Sequence, residues 1–171
     1  PENVIYGTTF SKVFAPGLRL GLAVPPKGLL ADWLVKAKQG TDLHSNTLGQ
    51  ALAAVYLEEG HLERQIPKIV GHYAPRLDAM LMALDRSFPA DWHWNRPEGG
   101  MFLWAVGPAG TDTLEIYHQA LERNVAFVPG RYFYADPARG EAAMRLNFTN
   151  ADPDSLLKAV STLGEIVSVQ I

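Results

Sequence analysis

A lysine, two hydroxyl side chains and an arginine lie close together near the start of the chain. Thr9 and Ser11 precede Lys12, and Arg19 follows seven residues after it. Hydroxyls can bind a phosphate, and an arginine can hold one through two parallel hydrogen bonds. An uncharged lysine amine can form an imine with a carbonyl group, and burial or a neighbouring positive charge favours the uncharged form. These residue types predict a site for a phosphate-bearing carbonyl compound; the alternative is an ordinary surface lysine in a turn.

A second arginine lies in the apolar run 144–148. In a strand, Arg145 and Asn147 share one face while their neighbours point to the other. From that face a guanidinium can hold a planar carboxylate, and the alternative is a structural ion pair at a strand edge. Gly99 and Gly100 precede another predicted strand, where they either form a hairpin turn or let the backbone approach a bound molecule.

The elements that must position these residues alternate between strands and helices. Short apolar runs bounded by glycine and proline indicate buried strands, and apolar residues at helical spacing indicate amphipathic helices. This order is typical of an α/β or α+β layered fold. The predicted strands are 3–6, 20–24, 92–94, 101–106, 125–128 and 144–148, and the predicted helices are 29–37, 46–60, 61–88, 111–123 and 153–167.

The positions of two prolines and one capping residue refine the predicted course of two helices. Pro67 and Pro75 interrupt the stripe 61–88, so we expect a short first piece, then a helix from Pro67 that is kinked or rebuilt around Pro75. Before the last helix, Asp152 is the expected cap and Pro153 the first helical residue.

Composition narrows the class of protein. The chain has 171 residues, 47% of them hydrophobic, which is enough to bury a core in one domain or two small ones. A net charge of -3 gives no bulk attraction for nucleic acid or an anionic membrane, and no apolar run has the length of a membrane helix. Cysteine is absent, and the five histidines show no paired spacing for zinc, so we expect no disulfide and no metal site.

The lysine segment also carries a resemblance. Residues 7–21, with the sequence GTTFSKVFAPGLRLG, resemble the cofactor-lysine signature of fold-type I aminotransferases of class I/II, near the 2-aminoadipate and kynurenine aminotransferases. Three further segments resemble the same family in the same order: 37–44 (AKQGTDLH), 96–104 (RPEGGMFLW) and 125–130 (VAFVPG). Each is weak alone, and the shared order makes the resemblance specific.

The resemblance implies roles for the residues singled out above. Lys12 would bind pyridoxal 5′-phosphate covalently and later move a proton, while Thr9, Ser11 and Arg19 would bind the phosphate. Arg145 would bind the substrate's α-carboxylate, with Gly99 and Gly100 at the substrate. The implied α/β fold is the end of the large cofactor-binding domain, residues 1–75, followed by a small α+β carboxy-terminal domain, residues 76–171.

The activity implied is transfer of an amino group from an α-amino acid to a 2-oxo acid such as 2-oxoglutarate, by a cytoplasmic homodimer. In the family, other parts of the cofactor site precede the lysine, so we expect a carboxy-terminal fragment that is inactive by itself. The alternative is the aminotransferase-like effector domain of a MocR-type transcription regulator. The Gly99-Gly100-Met101-Phe102 hairpin and Arg145 favour the enzyme, because such regulators often lack or replace them.

Overall fold

Two apolar runs separated by a polar loop fold back on each other as a hairpin at the start of the chain. In the computed structural model, which describes residues 4–169, β1 (Tyr6–Thr9) pairs antiparallel with β2 (Gly21–Val24). The helices α1 (Leu29–Asp42) and α2 (Thr47–Glu58) follow. These elements belong to the first of two compact units, Pro1–Val70 and Gly71–Ile171.

The hairpin differs from the prediction in position and in burial. The first strand begins at Tyr6, where the predicted strand ended, and Asn3 lies outside the described residues. Every residue of β1 and β2 is exposed, so the prediction of buried strands was wrong for the described residues. Two strands alone have no neighbours that cover their faces. The core of this unit is correspondingly small: Phe10, Leu20 and Ala53.

Helix α3 (His61–Ser87) runs without a break through Pro67 and Pro75. The expected division into two pieces was therefore wrong. A proline inside a helix costs about 3 kcal/mol, because it removes one backbone donor and crowds the preceding turn. Packing of the apolar stripe, which buries Met80 and Leu84, offsets that local cost and keeps one helix.

The second unit is built on a four-stranded antiparallel sheet. Its strands are β3 (His93–Trp94), β4 (Phe102–Val106), β5 (Val128–Pro129) and β6 (Ala143–Asn147), in the order β3-β4-β6-β5. The helices are α4 (Thr113–Glu122) and α5 (Pro153–Val169). These elements confirm the predicted alternation, with β5 shorter and later than expected. No helix within residues 4–169 combines the length and apolar character needed to cross a membrane.

The sheet has a buried face and a more open face. Leu103 and Ala105 of β4, with Met144 and Leu146 of β6, belong to the core together with residues of the helices. Of the alternate residues of the same strands, Ala143 is buried, and the others, Arg145 among them, are exposed or only partly covered. The alternation of side chains along a strand therefore places Arg145 on the more open face, and Asn147 shares that face as predicted.

Helix α5 begins where the sequence predicted. The backbone N–H of Ser155 donates to Asp152 Oδ1 at 3.0 Å, and Ser155 Oγ donates to Asp152 Oδ2 at 2.7 Å. These two hydrogen bonds, the backbone one first, hold the pKa of the Asp152 carboxyl below its ordinary value. The predicted cap is confirmed.

Candidate functional site

Lys12 lies at an exposed position in the turn that follows β1. The turn is closed by backbone hydrogen bonds: Phe14 donates to the carbonyl of Phe10 at 2.9 Å, and Phe10 donates to the carbonyl of Leu20 at 3.0 Å. Within residues 4–169 the amine of Lys12 makes neither a hydrogen bond nor an ion pair. The backbone is therefore held while the amine is available for chemistry.

The two predicted phosphate-binding hydroxyls lie against each other beside Lys12. Thr9 Oγ1 is 2.9 Å from Ser11 Oγ and accepts the backbone N–H of Ser11 at 3.1 Å. This local hydrogen bond fixes the spacing of the two hydroxyls on the same short turn. The structure thus brings the hydroxyls of Thr9 and Ser11 together, in the turn that also carries Lys12.

Arg19 is held by its own segment just before β2. Its backbone has a positive φ of 52°, and its N–H donates to the carbonyl of Pro16 at 3.3 Å. Nη1 donates to the same carbonyl at 3.2 Å. Since an arginine side chain has five N–H donors, this one contact leaves most of them for an anion. Among the described residues Arg19 makes no ion pair.

Helix α2 supports the lysine turn through contacts that sequence reasoning missed. Tyr56 donates its hydroxyl to the carbonyl of Val13 at 2.8 Å, and its ring stacks on Phe14 with centroids 4.2 Å apart. Asn46 donates to the carbonyl of Leu18 at 3.5 Å and accepts the N–H of Gly49 at 2.6 Å. Tyr56 follows Val13 by 43 positions, so no local pattern in the sequence predicts this contact.

Arg145 lies in an inner strand of the second unit, opposite Trp104 of β4 and Val128 of β5. Its guanidinium carbon is 4.0 Å from the centroid of the Phe102 ring and 4.7 Å from that of Phe133. Its Nε is buried and has no hydrogen-bond partner within residues 4–169. The same residues contain no ion pair of Arg145, and its strand is not at an edge of the sheet, so they do not supply the structural ion pair that was the alternative. Sequence reasoning did not connect either ring with Arg145.

Gly99 and Gly100 lie in the exposed loop between β3 and β4. Gly100 has a φ of +85°, which favours glycine, and no described atom lies within 4 Å of the position a Cβ would take at either residue. The turn interpretation accounts for Gly100. The loop leads into β4 beside the end of β6, where Phe148 donates to the carbonyl of Met101 at 3.3 Å. A role at the substrate stays a prediction for both glycines.

Two other observations bear on where chemistry can occur. A cleft of about 870 Å³ in the first unit is lined mainly by apolar residues of β2, α1 and α2, and Lys12 is not among them. Thr9 and Ser11 are likewise absent from its lining. Residues 4–169 contain no group of three or more histidine, aspartate or glutamate side chains that could hold a metal ion.

Comparison with known proteins gives the family. The profile described as aminotransferase class I and II matches residues 1–163. Aromatic-amino-acid aminotransferase 1 of Thermococcus litoralis is 42% identical over 99% of this chain and 40% of its own length. The 2-aminoadipate transaminase of Thermus thermophilus is 43% identical over 95% of this chain and 40% of its own length. A crystal structure of Pyrococcus horikoshii kynurenine aminotransferase, solved in complex with PMP, matches 98% of this chain and 41% of its own, with 42% identity and a TM-score of 0.90.

A weaker likeness connects the chain to regulators. The HTH-type transcriptional regulator YdfD of Bacillus subtilis is 27% identical over 96% of this chain and 33% of its own length. The chain spans about two fifths of the length of the aminotransferases that it matches. The family profile covers nearly all of the residues, including those of the lysine turn and Arg145. The chain belongs to the class I and II aminotransferase family.

Proposed function

We propose that the complete protein is a pyridoxal-phosphate-dependent aminotransferase. It transfers the amino group of an α-amino acid to a 2-oxo acid, with 2-oxoglutarate as the acceptor. The observation that carries the proposal is the lysine turn, in which the exposed Lys12 follows two hydroxyl residues whose side chains contact each other. Membership of the aminotransferase family supports it. Because the chain spans only part of its relatives, activity, substrates and partners are proposed for the complete protein.

The donor set of the turn fits pyridoxal phosphate. Lys12 offers an amine for the aldehyde, and Thr9 and Ser11 offer hydroxyls for the phosphate. Arg19 offers a guanidinium with most of its donors unused by the described residues. When bound, this cofactor withdraws electrons from the α-carbon of an amino acid and so makes its hydrogen acidic.

The residues of this chain then have distinct tasks. Lys12 Nζ would bind the aldehyde of the cofactor and, as a free amine, would take the proton from the α-carbon of the substrate. Arg145 would bind the α-carboxylate of the substrate through two parallel hydrogen bonds. Gly99 and Gly100, which have open space around them, leave room for the substrate at the end of β4.

The proposal extends to the domain boundary, the oligomeric state and the location of the complete protein. We place the boundary between the large and small domains near residue 75, propose a cytoplasmic homodimer, and expect the 171-residue chain to be inactive by itself. The regulator alternative rests on a relative of lower sequence identity than the aminotransferases. It differs in a measurable way, because a regulator binds an operator and an enzyme transaminates.

The test compares the complete protein with its Lys12→Ala variant. After incubation with pyridoxal phosphate and reduction with borohydride, mass spectrometry of peptides should find the cofactor on Lys12 and on no other lysine. Lys27→Ala, which removes another exposed lysine of the same unit, is the matched control and should leave the adduct unchanged. An adduct of undiminished yield in Lys12→Ala would show that the turn is not the site.

Activity assays address the rest of the proposal. The complete protein should transaminate, and Lys12→Ala should lose that activity. Arg145→Lys keeps the charge but loses the two-pronged geometry, so KM for the amino acid should rise roughly tenfold to a hundredfold. Specific operator binding without transamination would select the regulator.

A further inference from the structure

We propose that Phe102 and Phe133 are positioning residues for Arg145, holding its guanidinium in place for a substrate carboxylate without neutralising its charge. The proposal rests on the proposed function of Arg145. It concerns two rings that sequence reasoning did not connect with Arg145. We call Phe102 and Phe133 the aromatic pair.

Strand register places the first ring. On β4, Phe102 pairs with Asn147 and Trp104 pairs with Arg145. Residues opposite each other in an antiparallel pair share a face, so Phe102 lies diagonally across from Arg145 on the same face of the sheet. The measured distance of 4.0 Å from the guanidinium carbon to the ring centroid agrees with this placement.

The second ring comes from outside the sheet. Phe133 ends the short 3-10 turn Gly130–Phe133 that follows β5, and its ring meets Trp104 edge-on, with centroids 5.3 Å apart and planes at 83°. A Cβ added at Gly130 would lie 2.5 Å from Ala143 Cβ and 2.7 Å from the carbonyl oxygen of Gly140. The backbone of this turn is therefore pressed against β6, and the position of Phe133 is fixed from two sides.

Exposure argues against a role in the core. Phe102 is 38% exposed and Phe133 is 44% exposed, and neither belongs to the buried core of the second unit. Two large apolar side chains kept at the surface, both over one guanidinium, indicate that the arginine is what they serve. An aromatic face attracts a cation through its quadrupole.

The chemistry of the contact explains why rings are suited to this task. Proteins commonly fix an arginine with a carboxylate, and that carboxylate would compete with the substrate's own. The rings attract the guanidinium as a cation and bring no carboxylate to it, so they leave its charge unneutralised. Within residues 4–169, Arg145 has no acidic partner, and its buried Nε donates to no acceptor. The full charge and the fork are thus kept for the ligand.

The first test measures Arg145 directly, in the complete protein without substrate. The Nε–H signal of Arg145 is followed by NMR with isotopically labelled arginine and assigned with Arg145→Lys. A proton above a ring face is shielded, so this signal should lie upfield and move back in Phe102→Leu and Phe133→Leu. Phe102→Tyr keeps the ring face and should keep the shift. Tyr132→Leu, which removes a ring of the same turn that lies over no arginine in residues 4–169, is the control.

The second test separates binding from chemistry. A loosened guanidinium weakens a contact made in both the bound substrate and the transition state, so KM for the amino acid should rise roughly fivefold in each leucine variant while kcat stays within about twofold. Phe102→Tyr should restore KM. A merely structural role would instead lower the amount of folded protein and leave KM of the remainder unchanged.

The outcomes distinguish this inference from the function on which it rests. If the complete protein does not transaminate, the proposed function fails, and the NMR signal still decides whether the pair positions Arg145. An Nε–H signal that is unshielded, or that is the same in both leucine variants, overturns the inference. So does an unchanged KM in an active enzyme, because the pair would then hold Arg145 without consequence for the carboxylate.

Discussion

Gly164 should be irreplaceable in helix α5, even by the best helix former. A Cβ added there would lie 2.3 Å from the carbonyl oxygen of Ser87 and 2.7 Å from its Cβ, at the end of α3. Ordinary contact begins near 3.4 Å, so one helix would have to move by roughly 1 Å, the difference between 3.4 and 2.3. The atoms that it meets first are backbone, which cannot rotate away as a side chain can.

Two effects of opposite sign set the magnitude of Gly164→Ala. Alanine is better than glycine in a helix by about 1 kcal/mol. Overpacking costs about 1–3 kcal/mol, and a backbone clash belongs at the upper end of that range. A moving α5 would also disturb Val160, Leu163 and Val167, each at most 2% exposed. We expect packing to win, with a net loss of about 2 kcal/mol.

Gly71→Ala is the matched control. Gly71 lies in α3, in the same unit, and no described atom lies within 4 Å of the position of its Cβ. The propensity term acts there alone, so the variant should gain about 0.5–1 kcal/mol. In thermal unfolding, Tm should fall by about 4–8 °C for Gly164→Ala and rise by about 1–4 °C for Gly71→Ala. If Gly164→Ala raised Tm as its control does, the close approach of α5 to Ser87 would be refuted.

Two further changes test buried and capping polar groups. Thr113, fully buried, has its Oγ1 at 2.9 Å from the carbonyl oxygen of Glu141 and 2.8 Å from that of Ala143. Thr113→Val should therefore lower the free energy of unfolding, measured with urea, by about 1–3 kcal/mol. Thr113→Ser keeps the hydroxyl and should lose only a small part of that free energy. Asp152→Ala should be less stable at neutral pH. Since Ser155 lowers the pKa of Asp152 in the folded state, this contribution is full above the ordinary aspartate pKa and is lost as pH falls through the lowered value. A difference from wild type that stayed constant into acid would contradict it.

Local patterns predicted much of the second unit. The alternation in β6 put Leu146 inside and Asn147 outside, and the structure agrees, with Leu146 buried and Asn147 exposed. Asp152 capped α5 as its type and position indicated. These predictions succeeded because strand alternation and helix caps depend on residues within a few positions of each other.

Predictions that depended on distant partners succeeded less well. Pro67 and Pro75 favour a break locally, yet the burial of the apolar stripe keeps α3 whole. The apolar sequence of β1 and β2 indicated burial, but burial requires covering elements, and within the described residues none covers them. In both cases the deciding energy lies in packing between elements, which a single local pattern does not contain.

Arg19 and Arg145 show the same contrast between local sequence and long-range packing. Arg19 is held by the carbonyl of Pro16, three residues away, so the short segment already contains what orients it. Arg145 is held by rings that come from β4 and from the turn after β5. A sequence motif can therefore indicate which arginine is a candidate for binding an anion. Whether that charge meets a carboxylate of the protein or is left for a ligand depends on long-range packing. At Arg145 the packing supplies aromatic faces, which attract the cation without neutralising its charge.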